Sequence, residues 1–362
     1  MPTSAVYEAV VRYRAALLAR ERAAATALVR YYGEAWARLQ ADINATVAYL
    51  EAKRLAGEEI TPGMLVRLDR MRAIQEQTAA ELERYVGYAD ITIQDGKRWS
   101  IAAGERQAFD LVQLSFPRGA VNVQFYRMPR DAAESLIGLV RDGTPVRDVL
   151  VKYAGDAAQA LSETMVTGIV AGWNPRKLAR EMRSSFGMGL TESLRLARTE
   201  QLRAYRAATL ETYRANDDIV KGWTRRSARL PNSCLACLME DGREYGLDEQ
   251  MDDHPNGKCY MVPRTVTYAE LGIDAPEPEF TPGSGKEWFE AQSEQTQRGI
   301  MGAISKDAYD AWKAGLFSLE DVPQHIDDAT WGGHWANKPM FELLGLDAPR
   351  RSYADLVQGV GE

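Results

Sequence analysis

The chain has 362 residues, 45% of them hydrophobic, and a net charge of −7, a size that suits two or three domains, or one domain with long helical extensions, around a sizeable core. No run of eighteen apolar residues occurs, and the Arg/Glu-rich pattern that follows Met1-Pro2-Thr3-Ser4 has no uninterrupted apolar stretch; a membrane-crossing helix and a secretory signal are therefore not expected. The charge is uneven: residues 173–229 hold 13 Lys/Arg against 6 Asp/Glu, whereas 265–362 hold 7 against 17. Blocks of opposite sign meet different neighbours or each other, and a basic block can meet nucleic acid.

From Ser4 to Ala56 there is no proline, and Val6, Val10, Tyr13 and Leu17, then Leu28, Tyr32, Leu39, Ile43 and Leu50, recur at helical spacing. One helix over this span would be about 75 Å long at 1.5 Å per residue, and its apolar stripe would need a partner helix. Thr61-Pro62 is an N-cap followed by proline at the first helical position. The stripe Leu65, Leu68, Met71, Ile74, Leu82 and Tyr85 predicts a helix over 62–88 that folds back antiparallel. Gly87, Asp95-Gly96 and Gly104 predict an interrupted stretch before further helix at 105–114, and Val121–Tyr126 reads as a short strand.

Helices are then expected at 130–141, 146–172, 176–186 and 190–216, separated by Asp142-Gly143, Asn174-Pro175 and Gly187/Gly189. Val220–Arg226 and Tyr260–Thr267 read as strands on either side of a cysteine-bearing loop. Pro276, Pro278, Pro282 and Gly283-Ser284-Gly285 mark a linker, Lys286–Gly315 is amphipathic and helical in pattern, and the last 45 residues read as irregular and acidic. The expected organisation is mainly α and elongated. It comprises a long N-terminal helical hairpin (1–115), a helical body (116–219), a small β-rich zinc-binding module (220–275) and a linker with an acidic extension (276–362).

All three cysteines and one of three histidines fall within 26 residues, as Cys234-x2-Cys237-x16-His254-x4-Cys259. These are soft ligands at spacings that close a tetrahedron around Zn²⁺. Four protein ligands leave no position for water, which points to a structural ion. Thiols of a chain made in the cytoplasm stay reduced, which suits a metal better than a disulfide. The intervening loop 238–253 carries seven Asp/Glu and one Arg, too polar to order by burial, so metal ligation is expected to order it.

Several segments in order resemble the Mu F-like phage head morphogenesis family, the minor head proteins of tailed bacteriophages. They are Gly168-Ile-Val-Ala-Gly172-Trp-Asn-Pro175; Ala197-Arg198-Thr199-Glu200 followed by Ala204, Tyr205, Arg206 and Tyr213; and Gly222-Trp223-Thr224 leading to Cys234-x-x-Cys237, Asp241-Gly242, His254-Pro255, Cys259 and Met261-Val262-Pro263. Glu287-Trp288-Phe289, Gln297 and Gly302 extend the likeness more loosely. Many members close the cysteine motif with Cys-x-Cys; here Cys259 stands alone, which leaves four candidate ligands. The likeness covers roughly 130–270, with an echo to about 320.

The resemblance implies a non-enzymatic virion protein that joins the procapsid in the host cytoplasm, near the portal, and touches packaged DNA. Its partners would be the portal or major capsid protein, with no membrane, and with self-association through the N-terminal helices. Arg198, Arg203, Arg206, Arg225 and Arg226 are the candidate DNA or portal contacts. Read locally, Glu200 can reach Arg203 at i+3, and Arg195 can pair with Glu192 or Thr199. Two other readings stand beside this one: a stand-alone nucleic-acid-binding module, and a metal-dependent, HNH-like nuclease suggested by Asp252-Asp253-His254-Pro255. Catalytic grammar is otherwise sparse. Gly283-Ser-Gly-Lys286 lacks the first glycine of a phosphate loop, no G-x-S-x-G elbow occurs, and His325 and His334 lie in the tail without ligand spacing. Trp331-Gly-Gly-His334-Trp335 is either a docking peptide or an aromatic segment that packs on its own domain.

Overall fold

The computed structural model describes residues 4–278, 282–328 and 331–346. It is 62% helix and 9% strand, and its contacts divide it into two compact units. One is built from Ala16–Trp99 and Glu134–Gln201, the other from Met1–Ala15, Ser100–Ala133 and Leu202–Glu362. Helices α1 (Ser4–Leu55), α3 (Asp69–Leu114) and α6 (Pro175–Arg214) each contribute to both, so the division does not fall at 115, 219 or 275.

The first unit is a helical bundle. Its parts of α1 and α3 run antiparallel: Arg38 pairs with Glu81 at 2.8 Å, Tyr31 stacks on Tyr88 at 4.4 Å, and Tyr32 meets Tyr85 edge-on at 4.6 Å. Between them, α2 (Pro62–Arg67) starts as expected, with the Thr61 hydroxyl accepting from the Met64 N–H. α4 (Arg130–Gly138) and α5 (Val146–Val170) lead to α6, whose first turn is capped by Asn174 Oδ1 accepting from the Lys177 N–H at 2.8 Å. Phe186 on α6 packs on Tyr32 and Trp36 of α1. In the middle lies a fully buried ion pair, Lys97 Nζ to Glu200 at 2.7 Å, with Lys97 also donating to the Leu139 carbonyl at 2.9 Å. Glu200 thus reaches across to α3, and Arg195 pairs with Glu192 at 3.1 Å.

The breaks predicted at Asp142-Gly143 and Asn174-Pro175 occur, but those at Gly87, Asp95-Gly96, Gly104 and Gly187/Gly189 do not. α3 runs unbroken through Gly87, Gly96 and Gly104, and α6 through Gly187 and Gly189, because their apolar stripes are buried on both sides of each glycine. At Gly104 the residue serves close packing: an added Cβ would lie 2.4 Å from the Tyr205 carbonyl oxygen of α6.

In the second unit, strand β1 (Val220–Arg226) forms the centre of an antiparallel sheet between β2 (Glu244–Tyr245) and β3 (Tyr260–Thr265), in the order β2-β1-β3. Thr224 pairs with Val262 and Trp223 with Tyr245. Trp223 is fully buried among Val112, Leu210, Tyr213, Cys237 and Met261, and its ring stacks on Tyr245 at 4.2 Å. The Val121–Tyr126 segment is extended but forms no strand. The side chain of Asn216 takes the place of a partner strand there, accepting from the Gln124 N–H at 2.8 Å and donating to its carbonyl at 3.1 Å.

Two further corrections concern the C-terminal part of this unit. Lys286–Gly315 is three short helices, α8 (Gly285–Glu290), α9 (Glu294–Met301) and α10 (Ala308–Lys313), with Ser284 and Ser293 as N-caps. The tail is ordered where it is described: β4 (Pro323–Asp328) and β5 (Gly332–Asn337) form a hairpin followed by α11 (Met340–Leu343). Trp335 packs back onto its own unit, edge-on to His325 and under the Arg243 guanidinium at 5.0 Å. The rest of the expected acidic extension, 347–362, lies outside the described residues.

Replacing Lys97 with Met removes the buried cation that Glu200 meets on α3, and breaking such a pair costs about 3–5 kcal/mol. We expect thermal unfolding followed by circular dichroism to show a lowered midpoint for Lys97→Met, and the double variant Lys97→Met/Glu200→Leu to recover most of the loss.

Candidate metal centre

Strand alternation sets up the site. Successive side chains of β1 point to opposite faces, so Trp223 and Arg225 face the cysteines while Arg226 faces away, toward Asp241 at 3.2 Å. The chain then turns into the five-residue helix α7 (Leu235–Met239). Cys234 is its N-cap and Cys237 lies one turn on, so both sulfurs stand at the same end. Opposite them, His254-Pro255-Asn256-Gly257 makes a tight turn. The Gly257 N–H donates to the His254 carbonyl at 2.8 Å, with proline second and Asn256 third at φ 64°, the pattern of a type II turn. That turn leads the chain back to Cys259, whose sulfur lies near that of Cys237 and near the Asp253 carboxylate.

The donor atoms of Cys234, Cys237 and His254 lie within 4.8 Å of one another, and so do those of Cys237, Asp253 and Cys259. Cys237 is common to both sets. All four predicted ligands are therefore brought together, and a fifth group, Asp253, joins them. Tetrahedral Zn–S bonds of about 2.3 Å place sulfurs about 3.8 Å apart, inside that envelope.

Asp253 is fully buried and stands as an anchor beside the ligands. Its Oδ1 accepts from Arg225 at 3.0 Å, and its Oδ2 accepts from Arg206 and from the Cys259 N–H at 3.3 Å. With Cys237 and Cys259 it also forms a second candidate set of donors. It also lies against Gly257, where any Cβ would come within 2.3 Å of the carboxylate. Arg206 donates further to the carbonyls of Gly257 and Cys259, at 2.9 and 2.8 Å. Arg225, completely buried, donates at 3.5 Å to the sulfurs of both Cys237 and Cys259.

Electrostatics follow from this packing. Burial alone would raise the Asp253 carboxyl, but Arg206 and Arg225 outweigh it and hold it well below the usual carboxylate range. The Cys234 thiol is lowered, chiefly by its hydrogen bond with Cys237 against the effect of burial, and with help from the N–H groups of Cys237 and Ala236 at the start of α7. Cys237 is raised by the same shared hydrogen bond, and Cys259 is raised by its bond to Cys237 and by burial. Burial opposes the His254 cation, yet the adjoining Cys237 sulfur and then Asp253 push its pKa up to about 10. Its Nδ1 lies 2.8 Å from the Pro255 carbonyl, which fixes Nδ1 as the protonated nitrogen and turns Nε2 toward the sulfurs.

Compared with protein-family models, with curated proteins and with solved structures, the chain matches none. Three sulfurs and one imidazole nitrogen form a set that could hold a divalent metal ion. An ion there would join α7, the His254 turn and the start of β3.

The arginines expected to face DNA or the portal are placed otherwise. Arg206 and Arg225 are buried and donate to Asp253 and to carbonyl and sulfur acceptors. Arg226 is committed to Asp241, Arg198 pairs with Glu21, and Arg203 is half-buried on α6. Sequence reasoning missed Asp253 as the anchor of the site. The available signal was the period of two in β1, which puts Arg225 on the buried face with Trp223 and so demands a buried anion.

We expect elemental analysis of the purified chain to give one zinc per molecule, and Cys237→Ser, which removes the shared donor, to lose it. Asp253→Asn should keep the ligands but weaken binding by about 10–100-fold, the usual cost of losing an outer partner; a competition titration with a chromophoric chelator measures it.

Proposed function

We propose that the chain is a non-enzymatic head-assembly protein of a tailed bacteriophage, held in shape by a structural zinc ion. The observation that carries this reading is the joining of the segments that bear the family likeness. Helix α6 carries Arg198-Thr199-Glu200 and, farther along, Arg206, which closes on Asp253 and on the carbonyls of Gly257 and Cys259 beside the Cys/His cluster. A set of three thiols and an imidazole, with Cys237 and Cys259 buried and Cys234 and His254 half-buried, supports an architectural role over a catalytic one. On this reading the protein acts in the virion head and, during assembly, in the host cytoplasm, against the portal or major capsid protein. The long N-terminal helices supply the self-association or shell contact.

A contact with packaged DNA is better served by the start of α6 than by the arginines named from the sequence. Arg176, Arg180 and Arg183 are exposed there at i, i+4 and i+7, along one helical face. Reversing these three charges should weaken retention on DNA and flatten its salt dependence.

One observation favours the nuclease reading: His325 Nε2 lies 3.0 Å from Asp252 Oδ2, a partly exposed imidazole–carboxylate pair next to the cluster. Incubation with DNA and Mg²⁺ or Mn²⁺ separates the two readings. We expect no cleavage, and co-sedimentation of the chain with procapsids formed by the capsid and portal genes of its own genome. Cleavage lost in His325→Ala, or absence of the chain from the particles, would overturn the assembly proposal.

A further inference from the structure

We infer that the metal centre is the clasp that docks the C-terminal subdomain, residues 282–346, onto the rest of its unit. This rests on the metal-centre reading above.

The inference comes from the two faces of α7. Five residues are far too few for a helix to persist alone, so α7 takes its order from what holds it on each side. On one side are Cys234 and Cys237 in the ligand cluster. On the other, Leu235 and Leu238, both fully buried, enter a second apolar core whose remaining buried residues, among them Phe289, Ile300, Met301 and Val322, come from the C-terminal subdomain. The attachment of that subdomain runs largely through α7, which packs on α8, β4 and β5. Asn337 of β5 fastens the start of the helix: its Oδ1 accepts from the Ala236 N–H at 2.8 Å and lies 3.4 Å from the Cys234 sulfur.

Leu235 and Leu238 can thus present their face only while α7 is helical and fixed at both cysteines. Ligation supplies that fixation, and by thermodynamic reciprocity the docked subdomain tightens metal binding by the same factor. Loss of the ion would leave 282–346 with its own small core and a Pro/Gly-rich tether at 276–285, free to separate or to meet another partner through the uncovered leucines.

The test uses the full chain and compares wild type with Cys259→Ser, a ligand substitution at the start of β3 and outside α7. Metal content, limited proteolysis and hydrogen exchange are read together. The expected result is loss of the ion, cleavage near 276–285 faster by about tenfold or more, and lost exchange protection in 282–346, with the bundle helices α3 and α5 unchanged. Should the variant fail to fold, chelator treatment of the folded wild type gives the same comparison. A second variant, Leu238→Ala/Asn337→Ala, should free the subdomain while leaving all four ligands, and bind zinc more weakly. Metal lost with 282–346 still protected would overturn the clasp and leave the metal centre standing; wild-type protein without metal would overturn both.

Discussion

Taking the Asp253 carboxylate out of water costs several kcal/mol, and only paired, well-directed donors offset it. Those donors come from distant parts of the sequence: Arg206 near the end of α6, Arg225 on the central strand, and the backbone of Cys259. Each is constrained by the need to reach the same two oxygens. The consequence is positional. Once Asp253 is satisfied, its neighbour His254, the turn at 254–257 and Cys259 have little freedom left, and the cysteines of α7 face a surface already set. The candidate metal ligands are thus arranged around an ion pair instead of around one another, which places the anchor one residue before the histidine.

Strand β1 extends the logic to its other face. Arg226 and, beyond the strand, Arg229 close on Asp241, whose side chain is also fully buried, at 3.2 and 2.7 Å. A carboxylate clasped by two arginines therefore stands on each side of the sheet, both fed from the Arg225-Arg226 pair. The two aspartates come from the same acidic loop, 238–253, that joins the two halves of the cysteine motif. Its ordering does not rest on ligation alone: its buried acids are met by guanidiniums, and its exposed ones remain in water.

These pairings also mark the limit of what the sequence could tell. Spacing revealed the four sulfur and nitrogen donors, and residue grammar revealed the caps at Thr61 and Asn174 and both long strands of the sheet, because each depends on residues close in sequence. Glycine was misread in α3 and α6, since local propensity takes no account of the apolar stripe that buries a helix on both sides of it. The arginines of α6 and β1 were read as a surface because charge composition carries no burial; only the alternation in β1 does. Lys97 with Glu200, Asn216 with Gln124 and Asn337 with Ala236 are long-range polar pairings. They become visible only when the helices and strands are set side by side. The hairpin at 323–337 was missed because its strands are short, polar and rich in glycine and histidine, without the apolar alternation that announces a strand.

Charge counting is consistent with a histidine as the fourth candidate ligand. Asp253 between Arg206 and Arg225 leaves one positive charge over inside the protein. Without an ion a protonated His254 adds to it, and neither neutral thiols nor a disulfide, which would strand the third sulfur, supplies a cancelling charge. A divalent ion with three thiolates and a neutral imidazole carries a single net negative charge, which Arg225 meets directly through its contacts with Cys237 and Cys259. The buried assembly is then neutral. A cysteine in place of His254 would add a thiolate that no remaining cation in the cluster balances, and a buried unbalanced charge is what such interiors tolerate least. Two arginines for one aspartate, and one histidine for three cysteines, are thus a single arrangement: the composition of the ligand set is matched to the ion pair behind it.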